Sequence, residues 1–226
     1  MSVIALLIGI LLPALGAARE ASRGVVCLSN MRQMGIAVQI YAQEFDFKLP
    51  EPGLDHGFTP QPDDPGAWLF ALNAYVDTDL MYRCPSDNSP YWDTPVTGTR
   101  FRRVSYATNY LLSDDFVSFL VSGTNPYSDL ENIRRPSDTI YAVELAERNP
   151  QFAAADHVHP DGWIFVGKSE IAKQVEHEQH AGKANYLFLD GHAEQLALEE
   201  TFPVGNYFAQ PEANRYDPRS ARDQPF

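Results

Sequence analysis

His157 and His159 stand one residue apart within Asp156-His-Val-His-Pro-Asp161, with His177, Glu178 and His180 further along. In an extended chain alternate side chains share a face, so His-x-His can turn two imidazoles toward one ion. A hydrolytic zinc site needs three protein ligands and one open position. Glu144, Glu147, Glu178 and His180 could each supply a third ligand, and no spacing selects among them. His180, Asp190 and His192 form a second grouping whose imidazoles and carboxylate also suit zinc. The metal candidates are thus His157, His159, His180 and Asp190. Their plainer readings are a polar surface loop, a turn-forming aspartate and a hydrogen-bonded histidine.

Nucleophilic chemistry has no signature here. There is no Gly-x-Ser-x-Gly and no phosphate-cradling glycine loop, and Cys84 precedes a proline without a recognisable histidine partner. The expectation is a protein that is not an enzyme and holds no cofactor. Seventeen basic against 30 acidic residues give a net charge of −13, which leaves no basic stripe for phosphates and excludes nucleic acid as a partner. The two cysteines, Cys27 and Cys84, are either a disulfide, as in an exported protein, or two buried thiols. A disulfide would close a loop of about 58 residues and stabilise by about 4 kcal/mol in the chain-entropy model.

The elements that carry these residues can be read from periodicity. Met1 to Ala18 holds no charge, and Ser2 to Phe45 can form one helical rod about 65 Å long. Leu28, Met31, Gly35, Val38, Tyr41, Ala42 and Phe45 fall on one face, while Arg23, Asn30, Gln33, Gln39, Gln43 and Glu44 fall largely on the others. Pro50 and Pro52 are expected to end the rod. Ala67 to Val76 reads as a short amphipathic helix. Ser105 to Leu112 and Thr139 to Leu145 read as strands, and Asp114 to Val121 as a short helix or strand. Lys183 to Leu189 and His192 to Leu198 flank Asp190-Gly191, which predicts a hairpin with a type I′ turn. Both faces of its first strand are apolar enough to be covered, one of them by the long helix.

These pieces carry a resemblance. Pro13 in the apolar run, Ala17-Ala-Arg-Glu, and Cys27-Leu-Ser-Asn-Met-Arg-Gln-Met-Gly resemble the N-terminal helix of type IV pilins and type II secretion pseudopilins. His180, nine residues, then Asp190-Gly191 is similar to the signature of the prepilin-type His-x9-Asp-Gly family. Cys84-Pro-Ser-Asp, Ser105-Tyr-Ala-Thr-Asn-Tyr and Arg135-Pro-Ser-Asp-Thr agree with it in order. The family's basic leader and Gly-Phe-Thr-Leu-Ile-Glu stretch do not match. Aligned on Pro13, Met1 falls inside the mature helix, so a shortened N-terminus or a misplaced start is expected.

The resemblance implies an α+β, pilin-like fold: a long N-terminal α-helix packed on a small, mainly antiparallel β-sheet with extended loops. Residues 1–18 are then the transmembrane half of the helix, 19–49 its amphipathic half, 50–202 the pseudopilin head and 203–226 an extended tail, docked through Tyr207 and Phe208. It implies a structural subunit of a pseudopilus or type IV pilus-like filament, serving protein secretion. Its partners would be other pilin-like subunits, met through the N-terminal helix, and the inner membrane. Gly9 and Gly16 would allow close helix approach, and Pro13 a bend or melted turn. The location implied is the cytoplasmic membrane, single pass, with the head extracytoplasmic. Arg19 and Arg23 taken alone would place the head in the cytoplasm. The resemblance also admits a calcium ion in a head loop, with ligands unassigned. A cleavable signal peptide competes, although it lacks a basic n-region. Two other functions stay open. One is a tethered, non-polymerising binding protein that presents Trp68, Tyr91, Trp92 and Trp163. The other is a metal-dependent hydrolase on His157 and His159.

Overall fold

A computed structural model describes residues 3–54, 67–76, 82–114, 116, 125–202 and 214–218. A single helix, α1 (Val3–Glu44), runs through Pro13 without interruption. Proline removes one N–H from the ladder, but flanking Leu, Ile and Ala are strong enough helix formers to carry the rod past it. The helix stops before either proline. Asp46 and Phe47 take positive φ (51° and 63°), and Phe47 N–H donates to the Ala42 carbonyl at 2.7 Å. A left-handed turn therefore ends the rod, and Pro50 and Pro52 only direct the chain beyond it.

The half of α1 that meets the head buries Gly24, Cys27, Met31, Met34, Gly35, Val38 and Ala42, at spacings of three, four or one. That is one helical face. Two residues depart from the predicted pattern. Asn30 is buried, donating to the Arg83 carbonyl at 3.3 Å, because a polar loop end faces it. Phe45 lies beyond the last turn and is half exposed, stacked on Tyr41.

Five strands form one sheet: β1 (Tyr106–Asn109), β2 (Ile140–Glu144), β3 (His157–Val158), β4 (Ala184–Phe188) and β5 (Ala193–Leu196), in the order β3-β1-β2-β4-β5. Every pairing is antiparallel except β1 with β3. The architecture is α+β, a long N-terminal helix on a mostly antiparallel sheet, consistent with a pilin-like fold. Leu187, Leu189 and Ala193 face α1, while Tyr186, Phe188 and Leu196 face a second core around Trp163 and Tyr216. The apolar character of both faces of β4 is thereby explained.

Several local expectations are corrected. The hairpin loop has three residues, Leu189-Asp190-Gly191, rather than two. Phe188 N–H donates to His192 O, and Gly191 N–H to Phe188 O, both at 2.9 Å. Only Gly191 takes positive φ (88°), so the turn ends in a glycine bulge and is not type I′. β1 ends at Asn109, whose side chain accepts from Leu111 N–H and starts a 3-10 turn. The short helix at the front of the head is α2 (Trp68–Ala71), continued as a 3-10 turn to Ala74. Two helices were not foreseen: α3 (Pro160–Val166) and α4 (Lys168–Gln174), separated by Gly167 at φ 76°. Most of 114–121 lies outside the described residues, as do Tyr207 and Phe208. The described part of the tail docks through Tyr216, fully buried, with Arg215 N–H bonded to Thr201 O. Among the described residues no helix is long and apolar enough to cross a membrane.

Candidate functional site

The residues of the His-x9-Asp-Gly signature meet α1 at two glycines. An added Cβ on Gly24 would lie 3.1 Å from His180 Nδ1, and one on Gly35 would lie 2.7 Å from the Gly191 carbonyl oxygen. Eleven residues separate the two helix glycines, and eleven separate His180 from Gly191. Eleven residues are about three helical turns, so both glycines point the same way, about 16 Å apart along the axis. Beyond them, Gln39 Nε2 donates to the Leu189 carbonyl. The signature is thus a two-point grip on the stalk.

His180 is placed by a tight turn. Its N–H bonds to Lys183 O at 2.9 Å, and Ala181 and Gly182 both take positive φ. Its Nε2 donates to Glu144 Oε1 at 2.8 Å, where β2 ends. Glu144 is almost fully buried, and a buried carboxylate needs several donors. It also accepts from Asn185 N–H at 2.8 Å and Asn185 Nδ2 at 3.0 Å. Burial by itself pulls the His180 pKa down. The hydrogen bond and charge of Glu144, helped by Glu20, outweigh it, and the net shift is upward from 6.5.

Cys27 and Cys84 are disulfide-bonded beside this pair, so the alternative of two free thiols is set aside. Cys84 Sγ lies 3.6 Å from Glu144 Oε1. The bond ties α1 to the loop that precedes β1. That loop is held from below: Cys84 N–H donates to Ser105 Oγ at 2.9 Å, which donates to Asp87 Oδ2 at 2.7 Å. Asp87 also pairs with the buried Arg102 at 2.7 Å, and Arg102 donates to the carbonyls of Leu145, Ala146 and Ala153. Cys84-Pro-Ser-Asp and Ser105-Tyr-Ala-Thr-Asn-Tyr are therefore two sides of one buried network. Arg135-Pro-Ser-Asp-Thr supports the other end of the grip: Asp190 N–H donates to Pro136 O and Leu189 N–H to Thr139 O.

The other predicted candidates lie away from this cluster. Asp190 is partly exposed and accepts from the N–H and Nδ1 of its neighbour His192, so it shapes the hairpin loop. His157 and His159 do meet, with ring centroids 4.8 Å apart, but β3 ends at Val158 and the chain turns into α3 at Pro160, and among the described residues no third ligand converges on them. Both rings pack on Tyr110 (4.9 and 4.8 Å between centroids), and His157 Nδ1 lies 2.9 Å from Asp156 Oδ1. Burial, then the neighbouring His157, lowers the His159 pKa to about 4. Among the described residues, the one group of three or more His, Cys, Asp or Glu side chains whose ligand atoms converge is Cys27, Cys84, Glu144 and His180. Gly9 and Gly16 have nothing within 4 Å of an added Cβ. Trp68 and Trp163, expected at a binding surface, are fully buried and serve as core.

Residues 16–197 match a family described as "Protein of unknown function (DUF1559)", and the chain belongs to it. These are bacterial proteins, often with a prepilin-like N-terminus. No curated protein and no solved structure matches the chain.

Proposed function

We propose that the chain is a pilin-like structural subunit that assembles side by side with copies of itself or its kin through α1. The observation that carries this is the outer face of the rod. Leu7, Leu11, Ala18, Val25, Ile36 and Ile40 fall along one line, opposite Met31 and Val38 by the helical step of about 100°. Ser22 and Ser29 lie between them, and the charge at the edge of the line, Arg32, reaches toward the head, where it donates to the Ala193 carbonyl. Leu11 is 63 % exposed, Val25 68 % and Ile36 58 %. The head leaves this stripe uncovered, and an apolar stripe that long on a subunit is a packing surface. A bundle of such rods would cover it, and the head would form the outside.

On this reading subunits are held at the cytoplasmic membrane, head outward, until they assemble. Service to protein secretion is the use the pilin resemblance favours. The tethered binding protein loses two of its four proposed aromatics to the core, and the hydrolase lacks a converging ligand set at His157 and His159.

Chemical cross-linking tests the proposal. Leu7→Cys introduces a reactive thiol into a chain whose own cysteines are paired. A bis-maleimide applied to cells making this variant should yield a cross-linked dimer, the largest product that one thiol per chain allows. Monomer alone would contradict assembly through α1.

A further inference from the structure

The four side chains that converge under the grip have the chemistry of a metal site. Cys27 Sγ, Cys84 Sγ, a Glu144 carboxylate oxygen and a His180 ring nitrogen all lie within 4.8 Å of one another, and all four residues are buried. We propose that this cluster binds one zinc ion when the disulfide is reduced, so that the stalk is clamped to the head in either redox state. Two thiolates, an imidazole and a carboxylate are a zinc donor set, and four protein ligands with no open position make a structural site, not a catalytic one.

The geometry needs little rearrangement. His180 Nε2 and Glu144 Oε1 already face each other at 2.8 Å across a single proton. Zinc takes that proton's place, with the nitrogen and oxygen each about 2.1 Å from the ion. The two sulfurs, once unlinked, part until each lies about 2.3 Å from it. Outer contacts exist already: Asn185 N–H and Nδ2 orient the carboxylate, and Ser105 Oγ fixes the backbone of Cys84. Such contacts hold ligands in place before the ion arrives.

The chemistry balances with a dithiol as reductant. Its two thiols pass two electrons and two protons to Cys27–Cys84, leaving two cysteine thiols and the reductant's own disulfide. Zinc then displaces both thiol protons, the His180 ring proton moves from Nε2 to Nδ1 so that Nε2 binds as a neutral imidazole, and the carboxylate enters as an anion. Glu20, which accepts from Ser86 at 2.7 Å, adds negative charge that acts on His180 and favours a cation there.

The test uses the full chain and cobalt(II), which reports thiolate ligation by a sulfur-to-metal charge-transfer band. Chain reduced with dithiothreitol and desalted without oxygen should bind one cobalt with that band, and zinc should displace it. The oxidised chain should bind none. Glu144→Gln keeps the shape of the side chain and should weaken binding at least ten-fold. The thermal midpoint of reduced chain should rise on adding zinc, while that of oxidised chain should not. Reduced, folded chain that binds no cobalt, or binds it without the thiolate band, overturns the proposal. So does Glu144→Gln binding with unchanged affinity, since it removes the carboxylate ligand and leaves the fold.

Discussion

Gly35 and Gly191 touch backbone to backbone: a single methyl on Gly35 would stand 2.7 Å from the Gly191 carbonyl oxygen. No side-chain rotation relieves that contact, because the obstacle is main chain. Gly35→Ala should therefore destabilise the fold by about 1–3 kcal/mol, the usual cost of overpacking, despite the better helix propensity of alanine. Urea unfolding followed by circular dichroism gives the value. An unchanged midpoint would mean that the helix sits further from the hairpin.

Gly24 and Gly9 make a controlled pair. Gly24→Ala would press a methyl to 3.1 Å from the His180 ring, whereas Gly9→Ala meets nothing within 4 Å. The first should destabilise. The second should leave the head's stability unchanged or raise helix stability by roughly 0.5–1 kcal/mol. Equal effects from both would remove the grip at His180.

Removing His180 should cost more than either glycine change. His180→Ala strands Glu144, 1 % exposed, with only the Asn185 donors. Breaking a buried pair by deleting one member costs about 3–5 kcal/mol. Glu144→Gln removes the buried charge itself and should cost less. The ordering of the two urea midpoints is the check.

The histidine pair on Tyr110 predicts an acid response. His159 is held neutral in the fold, with its pKa at about 4 against 6.5 in the open chain. Between these values the unfolded chain binds the extra proton. Stability from this site is therefore full above pH 6.5 and lost as pH falls toward 4, on the order of 3 kcal/mol at most. His157 and the more exposed Asp161 are the titrating neighbours, and Asp161, 3.9 Å away, weakens the effect. Urea midpoints at pH 7.5 and 4.5 should fall further for wild type than for His159→Gln. Equal falls would show that His159 is solvated.

How much of this was legible in the chain depends on the range of each signal. Rod, hairpin and both-sided burial of β4 were readable because periods of 3.6 and two are local. Gly35 was placed on the buried face for the same reason. Gly24 was not singled out, since nothing nearby in sequence says that an imidazole lies against it. Glu144 appeared only as one of several spare carboxylates. Its role comes from pairing with a histidine 36 residues away, which no spacing encodes. The turn was misread because Asp-Gly serves both two- and three-residue loops, and the choice rests on the Phe188–His192 pairing. The disulfide was left open because sequence shows two cysteines but not their distance.

The claim that the outer stripe of α1 is an assembly surface is tested most directly by one charge. Ile36→Arg sits on the exposed face, away from the grip, so the head's thermal midpoint should stay within about 1 °C of wild type, as surface changes cost little. Added to Leu7→Cys, it should abolish the cross-linked dimer. A cross-linked dimer that persists at full strength, with Ile36→Arg in place, would contradict assembly through this face.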